Sequence, residues 1–142
     1  MQRVFGALPP GAVLAVQMPD NVAEPTHALM KEVAETGSWA SCLRGAARDP
    51  LPPVCVYHDA LKPLATRLDL WCTIYHHVLP NPTAIVEFVS STGLRPFLDP
   101  LPEAKREEFL TAYKTGIAAA YPPLADGTVL LPFPRFFLVA QR

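Results

Sequence analysis

The chain has 142 residues, a formal net charge of −1 and a hydrophobic share of 50%. That length suits one domain with a core of its own, and a charge so near zero leaves no electrostatic footprint for nucleic acid or an anionic membrane. The longest apolar run falls far short of the ~18–20 residues that a membrane span needs, so the oily composition points instead to surface meant to be covered.

Residues 1–8, MQRVFGAL, read as the last turns of a helix stopped by Pro9-Pro10-Gly11. Val13–Met18 follows as a strand, apolar on both alternating faces and closed by the turn signal Pro19-Asp20-Asn21. Such a strand is expected to be buried on both sides, with helices over each face and neighbours at each edge. Only twelve residues precede it, which raises the question of where its neighbours are. Residues 24–36 form a helix with Pro25 in its first turn, Leu29, Met30 and Val33 as its apolar stripe, and Gly37 as its stop. Residues 38–56 read as a long loop, and a short helix is expected around 58–65.

Residues 68–78 are the clearest strand, with Leu68, Leu70, Cys72 and Ile74 alternating against Asp69, Trp71, Thr73, Tyr75 and His77. Asn81 caps a helix over 82–92 whose first residue is Pro82. After the loop LRPFLDPLP, residues 103–120 form a longer helix with Phe109, Leu110, Tyr113 and Ile117 on one stripe. Asp126-Gly127 turns the chain into a last strand, 128–140. Pro132 and Pro134 in that strand remove two N–H groups from the same side, so regular pairing is expected from Arg135 onward. Trp71, Phe133, Phe136 and Phe137 read as core. The order is that of an α/β layer fold.

Cys42, Cys55 and Cys72 are widely spaced without a CxxC pair. This argues against a disulfide framework or zinc site and for reduced thiols in the cytoplasm. Residues 1–20 carry no secretory-signal pattern. His76 and His77 point to opposite faces of a regular strand, so no metal site is expected from them.

Five separated stretches, VLAVQMPDN, EPTH, WCTIYHH, TGLRPFL and LLPFPRFFLVA, together resemble the C-terminal half of the trans-aconitate methyltransferase family. This is a branch of the class I S-adenosylmethionine-dependent methyltransferases with a Rossmann-like α/β fold. The resemblance implies a seven-stranded sheet of order 3-2-1-4-5-7-6 with strand 7 antiparallel. Val13–Met18 would be strand 5, Leu68–Val78 strand 6 and Val129–Ala140 strand 7. Residues 1–80 and 122–142 would then form the sheet half, and 81–121 a helical insertion over the substrate pocket. Strands 1 to 4 would lie outside this chain, with the glycine-rich turn and ribose-binding acid that hold S-adenosylmethionine. The seven glycines here are isolated, with no G-x-G, so no cofactor-binding residue is assigned.

The reaction so implied is methyl transfer to a carboxylate of trans-aconitate or a similar polycarboxylate. A carboxylate is ionised at pH 7 and needs no general base, so no catalytic residue is assigned and the work is positioning. The substrate-binding candidates are Tyr75, His77, Arg95, His27, Asn21, Tyr57 and Arg135, with Asp20 at the same sheet edge. Each has a structural alternative: Arg95 bonding the carbonyls that end the preceding helix, Tyr75 and His77 as polar residues closing a strand, Arg135 paired with a structural carboxylate. The expected partners are the small polycarboxylate and a missing N-terminal half, or self-association through the open edge of strand 5. A non-catalytic tricarboxylate-binding or protein-interaction module, or one half of a split enzyme, remain alternative readings. An upstream continuation carrying a glycine-rich turn would discriminate among them.

Overall fold

Turn residues and periodic segments set most of the boundaries in the computed structural model, which describes residues 1–142. The elements run α1 (Gln2–Gly6), β1 (Val13–Pro19), α2 (Pro25–Thr36), α3 (Val54–Leu61) with a following 3-10 turn (Lys62–Leu64), β2 (Arg67–Leu79), α4 (Pro82–Ser90), α5 (Arg95–Leu98), α6 (Glu103–Ala120) and β3 (Val129–Gln141). The fold is mixed α/β around a three-stranded sheet of order β1-β3-β2, so the last strand is the central one. β1 and β3 are antiparallel, in a register from Val13 opposite Gln141 to Pro19 opposite Arg135. Pairing with β1 therefore begins at Arg135, beyond the two prolines, and the backbone N–H of Asp20 closes it on the Pro134 carbonyl at 3.0 Å.

Two local boundaries differ from expectation. Residues 54–56, read as loop, open α3 directly after Pro53. Val54 and Val56 are 46% and 50% exposed, so the helix start carries no buried stripe by which to recognise it. Within LRPFLDPLP, Arg95–Leu98 makes one helical turn with Pro96 at its start, a position where proline's missing N–H is harmless.

The chain folds as two compact units, one of residues 1–20, 50–75 and 133–142, the other of 21–49 and 76–132. In the first, Phe5, Leu61, Phe136, Leu138 and Ala140 are buried together, with Leu14, Met18, Tyr57, Leu68 and Leu70 partly buried against them. The even residues of β3 and β1 supply this core, as the period of two requires. The odd residues face the other way, and there the expectation fails. Val13 is 57% exposed, Ala15 and Gln17 are exposed, and only the alternate face is half-buried. β1 is therefore not buried on both sides. Trp71 is likewise not core: it is 44% exposed and stacks on Phe137 at 5.2 Å, which is itself half-buried. Arg142 ties the chain ends together. Its guanidinium donates to the carbonyls of Phe5 and Gly6, at the C-terminal end of α1, where a cation is favoured. Its backbone N–H donates to Ala12 at 2.9 Å, and its carbonyl accepts from Gly11 at 2.8 Å.

The second unit is a helical layer. α2 and α4 both pack on α6, burying Met30, Ala34, Ile85, Val89, Phe109, Tyr113 and Ile117 among others. Gly116 lets Leu29 of α2 pack tightly on α6, since a Cβ there would stand 3.0 Å from Leu29 Cδ2. Trp39 folds back over the end of α2, its indole N–H donating to the Val33 carbonyl at 2.8 Å. It passes so close to Gly37 that any Cβ there would stand 2.0 Å from the ring. Asn81 caps α4 as expected, its Oδ1 accepting from the Ala84 N–H at 3.0 Å.

Candidate functional site

The polar side chains of the second unit gather around the start of α2. Asn21 opens a turn in which its carbonyl accepts from the Glu24 N–H at 3.1 Å; Pro25 then sets the first helical φ, and the His27 N–H bonds Glu24 at 2.9 Å. The turn carries the Asn21 side chain inward to 2% exposure. A buried amide needs a partner, and Asn21 Oδ1 finds it in Arg48 Nη2 at 2.8 Å. Arg48 itself is exposed, and no carboxylate oxygen stands within 4.0 Å of its guanidinium.

His27 is half-buried, with Nδ1 3.1 Å from Thr26 Oγ1. Gly93 approaches its other ring nitrogen, where a Cβ would stand 3.4 Å from Nε2. Burial first, and the Arg48 charge second, hold its pKa below the ordinary imidazole value, so the ring is neutral at pH 7. Thr26 is buried too, and its carbonyl accepts from the Tyr113 hydroxyl at 3.0 Å. Burial and then neighbouring Tyr121 push the Tyr113 phenol far above its usual range. The buried Tyr121 hydroxyl has no partner in hydrogen-bond geometry. Burial raises its pKa, nearby Thr26 opposes the rise, and Glu24 adds to it.

The other sequence candidates stand in different settings. Tyr57, Tyr75 and Arg135 belong to the first unit, with Asp20; Asn21, His27, His77 and Arg95 belong to the second. Tyr57 packs on Phe136 at 5.1 Å, and burial, then Asp20, raise its pKa. Arg135 donates to Gln17 Oε1 and lies over the Phe133 ring at 4.9 Å; its partner is an amide, not the structural carboxylate considered as its alternative. Tyr75 is 45% exposed. His77 is half-buried and packs its ring on Phe88 at 5.2 Å. Arg95 Nε lies 3.6 Å from Asp99 Oδ2, both side chains exposed, an arrangement worth ~0–1 kcal/mol. Within the second unit the structure thus links Asn21 to Arg48, and one turn carries both Asn21 and His27. Arg48 escaped the sequence reading because it stands in an aperiodic loop, and Tyr113 because its place on an apolar stripe hid the hydroxyl. A buried asparagine next to a helix start was the available signal.

No family model matches the chain, but its relatives are methyltransferases. They are named trans-aconitate 2-methyltransferase, and the chain resembles the C-terminal half of such an enzyme. It is 58% identical to the one from Rhodopseudomonas palustris strain BisB18, over 100% of this chain and 56% of the relative. Identity is 56% with that of Afipia carboxidovorans, over 99% of this chain and 56% of the relative. With that of Paracidovorax citrulli it is 53%, over 99% and 55%. The chain therefore spans about half the length of the curated relatives it matches. No helix is long and apolar enough to cross a membrane.

Proposed function

We propose that this chain is the substrate-side, C-terminal half of an enzyme that transfers a methyl group from S-adenosylmethionine to a carboxylate of trans-aconitate or a similar polycarboxylate. The observation that carries this reading is similarity along the entire chain that accounts for only 56% of the relatives' length. On it, β1, β3 and β2 correspond to strands 5, 7 and 6 of a seven-stranded sheet, and residues 81–121 to the helical insertion on the substrate side. The remaining polypeptide supplies strands 1 to 4 and docks along β1, an edge strand of this sheet whose free backbone groups suit strand addition.

The residues present do not fit the methyl donor. The glycines with a left-handed backbone are Gly11, Gly45 and Gly127, at φ of 83°, 81° and 83°. Each stands alone in its own turn, with Gly11 and Gly127 shortly before strands and Gly45 inside the 37–53 loop. None follows a strand and opens a helix as a nucleotide-cradling turn must. The acceptor half of the reaction asks only for donors that hold an already ionised carboxylate in line. Both units carry donors of that kind: Asn21, His27, His77 and Arg95 in one, Tyr57, Tyr75 and Arg135 in the other.

The test is complementation. The chain alone is expected to take up no S-adenosylmethionine in calorimetry and to leave trans-aconitate unmethylated. Co-folded with the N-terminal portion of the Rhodopseudomonas palustris relative, it is expected to yield methyl ester detectable by mass. Stoichiometric donor uptake by the chain alone overturns the assignment of halves, and a silent co-folded pair overturns the function.

A further inference from the structure

Resting on that reading, we infer that Arg48, held by buried Asn21 beside the turn that carries His27, is the receptor for one carboxylate of the substrate. The argument begins with a guanidinium that lacks the partner its chemistry suits best. Arginine's planar fork of five N–H donors matches a carboxylate edge to edge, yet no carboxylate lies within 4.0 Å of Arg48. One nitrogen is committed to Asn21 Oδ1 at 2.8 Å. That bond comes from a side chain only 2% exposed, so the anchor is rigid while the head it orients is open to solvent.

His27 supplies the second part. It stands in the turn that Asn21 opens, its N–H bonded to the Glu24 carbonyl at 2.9 Å, and it is half-buried, with Thr26 Oγ1 3.1 Å from Nδ1. When the threonine hydroxyl donates to Nδ1, the proton sits on Nε2, and the neutral ring offers an N–H without a second positive charge. One cation plus one neutral donor suits a single carboxylate. A phosphate dianion asks for more positive charge than this corner holds.

The test is a titration of the full 142-residue chain, isotopically labelled, with trans-aconitate and separately with inorganic phosphate at equal concentration and ionic strength. Saturable trans-aconitate shifts at the Asn21 side-chain amide, the Arg48 Nε–H and the His27 ring are expected, with no saturable response to phosphate. Arg48→Gln should weaken trans-aconitate binding roughly tenfold or more, and Arg48→Lys, which keeps charge but not the fork, should recover part of it. The Tyr113 and Thr26 signals report that the variants remain folded; if Arg48→Gln unfolds, the Lys variant carries the comparison. Saturable shifts centred on Arg95 or His77 instead, equal response to phosphate, or unchanged affinity in both variants would overturn the assignment. Should the complemented enzyme methylate trans-aconitate while none of these three groups responds, the carboxylate receptor is wrong and the function stands. Should they respond while complementation stays silent, the receptor stands and the function falls.

Discussion

Replacing Leu138 by alanine tests whether the first unit has a filled core of its own. Leu138 is fully buried on the central strand, between Phe136 and Ala140 on the same face and opposite Val16 in the register with β1. The substitution removes three carbons from this core, about 2.4 kcal/mol at ~0.8 kcal/mol per group. The space left adds a cavity penalty of up to about 2 kcal/mol. Leu14 and Met18 border it from an only partly buried strand and can move in, so a total of about 2.5–4 kcal/mol is expected. Against the ~5–15 kcal/mol of a whole domain this is a large share. The two tryptophans offer separate probes, Trp71 in the first unit and Trp39 in the second. Urea unfolding is read from Trp71 fluorescence in a Trp39→Phe background, with and without Leu138→Ala. A loss below ~1 kcal/mol at unchanged m-value would refute the packing argument.

Other consequences are more local. Tyr113→Phe removes only the hydroxyl that bonds the Thr26 carbonyl and should cost about 1 kcal/mol in thermal unfolding; an unshifted midpoint would show that the bond contributes nothing. Asn81→Ala deletes the α4 cap, with about 1 kcal/mol lost and faster amide exchange at Ala84 as its local mark. Because burial and Arg48 depress the His27 pKa, the unfolded chain binds a proton there before the folded chain does. Stability should therefore decline as pH falls below ~6.5, the unfolded value, toward the folded pKa. His27→Gln should flatten that slope, and Arg48→Gln should move the His27 titration upward in NMR. A His27 titration at or above its free value would contradict the burial and charge described.

Local chemistry made much of this fold legible. The stripe Phe109, Tyr113, Ile117 placed α6 at its observed bounds, Asn81-Pro82 marked a real cap, and Pro132 with Pro134 located the onset of the β1 ladder at Arg135. Each of these signals acts within a few residues. What escaped depends on distant neighbours. The apolar pattern of β1 reads as that of a two-sided sheet, while the structure leaves one of its faces exposed. Trp71 follows the same logic, since an aromatic residue on a strand signals burial only where a second layer exists. The polar residue types around the start of α2 were legible, but not their wiring: the guanidinium that bonds Asn21 comes from an irregular loop that no periodicity marks.

The pairing of Val13–Pro19 with Arg135–Gln141 has a consequence for biosynthesis. On the ribosome β1 emerges well before its complement, and at ~5–20 residues per second the interval between them lasts several seconds. The same delay applies to α1, whose end is closed by Arg142. Through that interval an oily ribbon waits unpaired, and nascent-chain chaperones or a pre-made companion polypeptide have seconds in which to reach it first.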